Sequence, residues 1–234
     1  MYINTKQIAI ILGAYNAEKY IAEQLESLIA QTNKDWSLYV RDDDSTDNTL
    51  SIIKGYCKRY DNIFLIEDSE GNLGCNGNYY KILEQVDSKY YMFANADDFW
   101  YDFKIQLSFD LLKKGEKLYT NTVPLLCHTD LTIGDANLNV IEKSLWEFNN
   151  SNPEYFKTYN KIGVCCVTAG ATMIFNRSLK EIIFPAPKGR KDLFFDNWIA
   201  LCITKNKGVI LTLHQPTIIY RQIGTNLAAP SIGS

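Results

Sequence analysis

Histidine is scarce in this sequence: only His128 and His214 occur among 234 residues. The six cysteines, Cys57, Cys75, Cys127, Cys165, Cys166 and Cys202, contain no C-x-x-C pair. Together these absences remove the ligand spacing of a structural zinc site. Several cysteines lie inside apolar runs, which marks them as reduced core residues rather than a redox framework. No apolar run approaches the ~20 residues that span a bilayer, and residues 1–7 are short and polar without a secretory hydrophobic region. A cytoplasmic protein is therefore expected. Positive charge is not in excess either, the formal net charge being −3. Nucleic acid is thus excluded as an expected partner, and a diphosphate ligand needs local help from a metal ion or backbone amides.

What remains is a sequence with the apolar and charged content of one large globular domain. Its first 130 residues alternate between two hydrophobic periods. Residues 8–12 form a continuous apolar run that suits a strand buried on both faces. Residues 18–31 place Ile21, Leu25, Leu28 and Ile29 at helical spacing. A second strand is predicted over 36–40 and a helix with the stripe Leu50, Ile53, Cys57 and Tyr60, which Ser45 and Thr46 are expected to cap. A third strand at 63–66, a helix marked by Tyr79, Ile82, Leu83 and Val86, and a fourth strand at 90–94 follow. This order implies an α/β fold with a mainly parallel central sheet flanked by helices and joined by right-handed crossovers.

The second half is less regular. Residues 125–131, 164–175 and 208–213 read as strands, 193–204 as a helix, and 137–161 as a loop or helical excursion over the site. Neither a repeat nor a convincing linker divides the chain.

In sheets of this kind ligands bind beyond the carboxyl ends of the strands. Three polar clusters fall there, Tyr15-Asn16, Asp42-Asp43-Asp44 and Asn95-Ala96-Asp97-Asp98, and they are expected to meet at one crevice. Asp97 and Asp98 suit Mg²⁺ or Mn²⁺, which take oxygen ligands and bridge carboxylate to diphosphate; a solvated turn or helix cap is the plainer reading. Asp42 and Asp43 offer acceptors for a nucleotide base or ribose, though Asp-rich segments also make turns. Asp196 stands at the start of a helix, where capping competes with a role as general base.

Taken in order, these segments resemble a known family. Ala14-Tyr15-Asn16, Arg41-Asp42-Asp43-Asp44-Ser45-Thr46-Asp47, Asn72-Leu73-Gly74 and Asn95-Ala96-Asp97-Asp98-Phe99-Trp100 are similar to the nucleotide-binding half of family 2 glycosyltransferases, and most of all to bacterial rhamnosyltransferase-like enzymes. Thr129-Asp130-Leu131, Ala169-Gly170-Ala171-Thr172-Met173, Asp196-Asn197-Trp198 and Tyr220-Arg221-Gln222 extend the resemblance over about residues 7–226.

The resemblance implies a Rossmann-like GT-A fold in one domain, residues 1–130 holding the nucleotide and 131–234 the acceptor. It implies an inverting transfer of rhamnose or a hexose from a UDP- or dTDP-linked donor to a saccharide or lipid-linked saccharide in bacterial surface polysaccharide synthesis, with Mn²⁺ or Mg²⁺ as cofactor and peripheral membrane contact at most. Carried over by position, Ala14, Tyr15, Asn16, Asp42, Asp43, Asn78, Asn95 and Asp98 would bind the nucleotide sugar. Asp97 would ligate the metal, Asp196 would be the base, and Trp100, Gly170 and Trp198 would face the acceptor.

Three positions depart from the family pattern. Asn95 replaces the first acid of D-x-D, Phe195 stands where many relatives have histidine, and Ile223 replaces a histidine after Tyr-Arg-Gln. They motivate an alternative, a nucleotide-sugar-binding partner that has lost catalysis. A nucleotidyltransferase is a weaker reading, because the first strand is followed by one glycine and no basic phosphate loop.

Overall fold

A computed structural model describes residues 2–3, 5–158, 168–187 and 193–224. Among these, strand β1 (Tyr2–Ile3) is followed by β2 (Ile8–Ala14), helix α1 (Ile21–Ile29), β3 (Trp36–Asp42), α2 (Thr49–Arg59), β4 (Ile63–Leu65), α3 (Gly74–Gln85), β5 (Val86–Asp87), β6 (Tyr90–Asn95) and β7 (Phe99–Trp100). Then come α4 (Lys104–Tyr119), β8 (Leu125–Gly134), β9 (Val140–Glu142), α5 (Leu145–Phe148), β10 (Ile174–Asn176), α6 (Arg177–Ile183), α7 (Phe195–Lys205) and β11 (Val209–Arg221). The described strands form a main sheet in the order β4-β3-β2-β6-β10-β8-β11-β7, with β9 on β8 and a separate β1-β5 pair. β4, β3, β2 and β6 are parallel neighbours, β10 is inserted antiparallel, and β8 and β11 are again parallel.

The alternation of β2 sorts the core into two layers. Ile8, Ile10 and Leu12 pack with Ile21 and Leu25 of α1, Ile53 of α2 and Ile105 and Leu112 of α4. Ala9 and Ile11 pack on the other face with Ile82 and Leu83 of α3, Leu179 of α6 and Ile199 and Ile203 of α7. A strand covered by helices on both faces must be apolar at every position, which is why residues 8–12 carry no polar side chain.

Several expectations are corrected. The first helix is shorter than residues 18–31, starting after a turn in which Tyr20 and Ile21 both donate to the carbonyl of Ala17. Ser45 and Thr46 do not cap α2; its N-cap is Asn48, whose side chain makes no capping bond and donates instead to Glu18, and both residues bind the loop after β2. The strand predicted at 164–175 is reduced to β10, because Gly170–Thr172 turns into a short 3-10 helix, and residues 164–167 lie outside the described set. The excursion at 137–161 contains β9, α5 and a 3-10 turn, Pro153–Phe156; residues 159–161 are not described. Cys57, Cys127 and Cys202 are at least half-buried, as expected of core thiols, but Cys75 is exposed; all four are free, and Cys165 and Cys166 lie outside the described residues.

Candidate active site

The parallel register carries the three polar clusters to one edge of the sheet. Gly13 pairs with both Arg41 and Asn95, and Ala14 with Asp42. The loops that follow are tied directly to one another. Asp43 N–H donates to the Ala14 carbonyl at 2.8 Å, Asn16 N–H to Ser45 Oγ at 2.9 Å, and Thr46 N–H to Asn16 Oδ1 at 2.9 Å. This fastening holds Asn16 at φ 46° and leaves Tyr15 54% exposed at the mouth.

Asp42 and Asp43 are not equivalent. Asp42 is half-buried; its Oδ2 accepts from Ser45 N–H at 2.9 Å, while its enclosed Oδ1 has no partner among the described residues. It lines a cavity of about 210 Å³ with Asp44, Leu65, Asp68 and Gly71. Asp43 is only 2% exposed and accepts from Arg41 Nη1 at 2.5 Å and from the backbone N–H groups of Leu73 and Gly74 at 2.8 Å each. Asp43 thus shapes the Asn72-Leu73-Gly74 turn, which needs Gly74 at φ +71°. Arg41 also pairs with Asp68 at 2.9 Å and holds that carboxyl down at about 2. Asn78, 3% exposed, is spanned by Arg41 as well, accepting from Nη1 at 3.2 Å. A Cβ at position 13 would lie 2.8 Å from its amide nitrogen, so Gly13 permits this close approach.

At the end of β6, Tyr79 Oη donates to Asn95 Oδ1 at 2.9 Å, and Asn95 Nδ2 donates to Asp98 Oδ2 at 2.8 Å. Asn95 therefore takes the place of an acid by joining a phenol to a carboxylate. Asp98 has no exposed surface; burial first, then the neighbouring Asp97 charge, push its carboxyl well above the usual range. Asp98 is a buried framework group, which corrects the expectation that it contacts the ligand. Asp97 is half-buried, and its carboxyl is also raised, by burial, against its own amide and the Arg221 charge. Trp100 is 1% exposed with Lys104 Nζ 4.6 Å from its ring centroid, so it is core and offers no face to an acceptor.

Asp196 enters from the other half of the chain, in the first turn of α7. Its Oδ1 accepts from Asn197 N–H at 2.8 Å and its Oδ2 from Gly170 N–H at 3.3 Å. Burial raises its carboxyl, with those amides acting in the opposite direction. Phe195 turns inward, stacked on Tyr79 at 4.3 Å and filling the space beside Gly170, where an added Cβ would lie 2.4 Å from the ring. Gly170 is buried, and Trp198 donates its indole N–H to the Ile183 carbonyl at 2.9 Å while packing on the core. Gly170 is thus enclosed, whereas Trp198 keeps part of its surface open.

Tyr79 joins these groups, bonded to Asn95 at 2.9 Å and stacked on Phe195 at 4.3 Å. Beside them Cys75 is exposed as a residue, yet desolvation of its sulfur first, then the charges of Asp196, Asp43 and Asp97, push its thiol up to about 11. Asn76, one residue on, ties α3 to the start of α7, accepting from Phe195 N–H at 2.9 Å and donating to the Leu193 carbonyl at 3.0 Å. Sequence reasoning passed over Cys75, Asn76 and Tyr79; their common signal was an Asn- and Gly-rich loop opening a helix. Among the described residues no group of three or more His, Cys, Asp or Glu side chains could hold a metal ion. Asp97, desolvated and short of positive charge, fits a cation whose other ligands come from a bound diphosphate and water.

Sequence comparison decides the family. The profile described as Glycosyl transferase family 2 matches residues 9–182. The chain belongs to glycosyl transferase family 2. Among relatives of this family 2 chain, the dTDP-rhamnosyl transferase RfbG of Shigella flexneri is 28% identical over 229 residues, covering 94% of this chain and 74% of that protein. The UDP-Glc:alpha-D-GlcNAc-diphosphoundecaprenol beta-1,3-glucosyltransferase WfgD of Escherichia coli is 24% identical over 202 residues, 86% of this chain and 71% of that one. Solved structures with the same fold include S. aureus TarS 1-349 in complex with UDP-GlcNAc (TM-score 0.68, 20% identity, 92% of this chain and 58% of that one). Another is the mannosyltransferase PcManGT from Pyrobaculum calidifontis with GDP-Man and Mn2+ (TM-score 0.64, 17% identity, 92% and 56%). The chain thus spans under three fifths of either solved chain. The fold is GT-A, a mixed α/β sheet flanked by helices. No helix among the described residues is long and apolar enough to cross a membrane.

Proposed function

We propose that this chain is an inverting glycosyltransferase of bacterial surface polysaccharide synthesis. It would transfer rhamnose, or secondly a hexose, from a UDP- or dTDP-linked donor to a saccharide or lipid-linked saccharide. The observation that carries this reading is that Tyr79, bonded to Asn95 at 2.9 Å and stacked on Phe195 at 4.3 Å, joins the end of β6, which leads to Asp97, to the first turn of α7, which carries Asp196; burial raises both carboxyls. Family membership supplies the context.

In this reading Tyr15 and Asp42 hold the nucleoside, and Asp97 holds Mn²⁺ or Mg²⁺ against the diphosphate. When bound, the ion offsets negative charge on the diphosphate. Asp196 accepts the proton of an acceptor hydroxyl as that oxygen bonds to the anomeric carbon, while the bond to the diphosphate oxygen breaks and its electron pair leaves with the nucleoside diphosphate. Attack opposite the leaving group inverts the anomeric centre. The raised Asp196 carboxyl suits a base, since proton transfer is most effective when the catalytic pKa approaches the working pH. A lipid-linked acceptor places the enzyme at the inner face of the membrane by peripheral contact, in keeping with the lipid-linked saccharide named for WfgD.

A thermal-shift screen of nucleoside diphosphates and their sugars, with and without Mn²⁺, tests the reading. A metal-dependent rise for one pyrimidine donor is expected, followed by transfer to a saccharide panel. Donor binding without transfer or hydrolysis would favour the non-catalytic alternative, and no binding of any donor would overturn both.

A further inference from the structure

A second cavity, of about 370 Å³, opens in the acceptor half. Asp130 and Trp146 line its floor, His214 one wall, and Glu147, Ser151 and Asn152 its rim. None of these residues belongs to the crevice of Asp97 and Asp196.

Its place in the fold follows from register. Cys127 of β8 pairs with Ile174 of β10, which pairs with Met92 of β6. Three residues further along two strands of the same direction, Asp130 and Asn95 lie at the same level of the sheet edge. Leu126 packs in the layer that contains Ile199 of α7. By strand alternation Asp130, four residues on, faces the same side. The cavity therefore opens at the same edge and on the same face as the helix carrying Asp196, where one extended acceptor can reach both.

The lining selects a chemistry. Asp130 is fixed by Ser144 Oγ, by Leu131 N–H at 2.8 Å and by Trp146 N–H at 3.3 Å. Two carboxylates, Asp130 and Glu147, line the cavity, and among the described lining residues there is no lysine or arginine. A phosphate or diphosphate would meet the repulsion of both carboxylates there. A neutral ring rich in hydroxyls finds carboxylate acceptors, amides and a serine hydroxyl. It also finds aromatic edges in Trp146 and His214, whose rings stand 5.5 Å apart at 72°. His214 points outward, its side chain 62% exposed.

We infer that this cavity is a subsite for a neutral sugar unit of the acceptor, remote from the hydroxyl that reacts. The inference rests on the proposed transfer to a saccharide. The test is ligand-observed NMR saturation transfer from the full chain to the methyl glycosides of rhamnose, glucose, galactose and N-acetylglucosamine. It is repeated with the double variant H214A/E147A and with D97N, after checking that the double variant melts as the parent does. At least one glycoside is expected to bind the parent and D97N alike, and to lose at least tenfold in affinity in H214A/E147A. Absence of binding by the whole panel, undiminished binding by H214A/E147A, or loss of binding in D97N would overturn the subsite. The nucleotide-sugar screen reads the catalytic proposal separately: glycoside binding without donor binding keeps this subsite and ends that proposal.

Discussion

Arg221 Nε donates to the carbonyl oxygen of Asp97 across 2.7 Å, so the last residue of β11 holds the backbone of the carboxylate assigned to the metal. The same guanidinium binds the Ala136 carbonyl at 2.5 Å and the Glu23 carboxylate, and lies 4.7 Å from the Tyr20 ring centroid. Lysine has neither the fork nor the planar face for these tasks. R221K is expected to lose about 2–3 kcal/mol of stability and to weaken metal-dependent donor binding. Urea melts and a donor titration check both, and unchanged donor binding in a folded variant would remove the positioning role.

Asp196→Asn keeps the shape of the α7 turn but cannot take a proton. Transfer should fall by about 10²- to 10⁴-fold, with little change in donor affinity. Because burial raises the Asp196 carboxyl, the acid limb of the parent's pH–rate profile should lie above the usual carboxylate range of about 4, activity falling as pH drops through it. An acid limb at or below 4 would argue against this residue as the base.

Asp97→Asn should abolish the Mn²⁺-dependent part of the thermal shift given by a nucleoside diphosphate while leaving its metal-free part. Loss of both parts would instead mean that Asp97 shapes the nucleoside site itself.

Gly170 and Phe195 share one space. G170A places a methyl group on the Phe195 ring and is expected to cost about 1–3 kcal/mol. Adding F195L should recover part of that loss, and strict additivity in the double variant would show that the ring is not what the methyl meets.

His128 is buried, and burial first holds its ring down at about 3. An unfolded histidine near 6.5 takes up a proton that the folded one refuses. Stability is therefore lost as pH falls from 6.5 towards 3, by up to about 1.4 kcal/mol per pH unit, and is unaffected above 6.5. H128F should flatten that limb of a melting-temperature profile between pH 6.5 and 4.

The parallel half of the fold was legible because strands buried on both faces leave unbroken apolar runs, as residues 8–12 do. The three strand-end clusters were equally plain, since polar residues after such runs have one place to go. Which acid faces outward was not. Asp42 and Asp43 are identical as letters, and Arg41 and the amides of Leu73 and Gly74 separate them only in space. Trp100 misled for the same reason, a tryptophan beside an acid reading as a sugar platform until its burial is known. Phe195 looked like a lost polar group, whereas the structure shows an aromatic plug stacked on Tyr79 beside Asp196. The short antiparallel β10 was drawn too long, as part of 164–175, because a strand of three residues has no period to mark its ends.

β11 carries His214 beside one cavity and Arg221 against the Asp97 loop, on a single strand. Its pairing with β8 is regular up to Leu213, then shifts between Leu213 and Pro216 and again between Pro216 and Ile219. Those two slips act as expansion joints. The stretch around His214 is released from strict pairing there, while the segment from Ile219 to Arg221 stays in register and seats Arg221 against the Asp97 carbonyl. One continuous strand is thereby loose at one end of its upper half and rigid at the other.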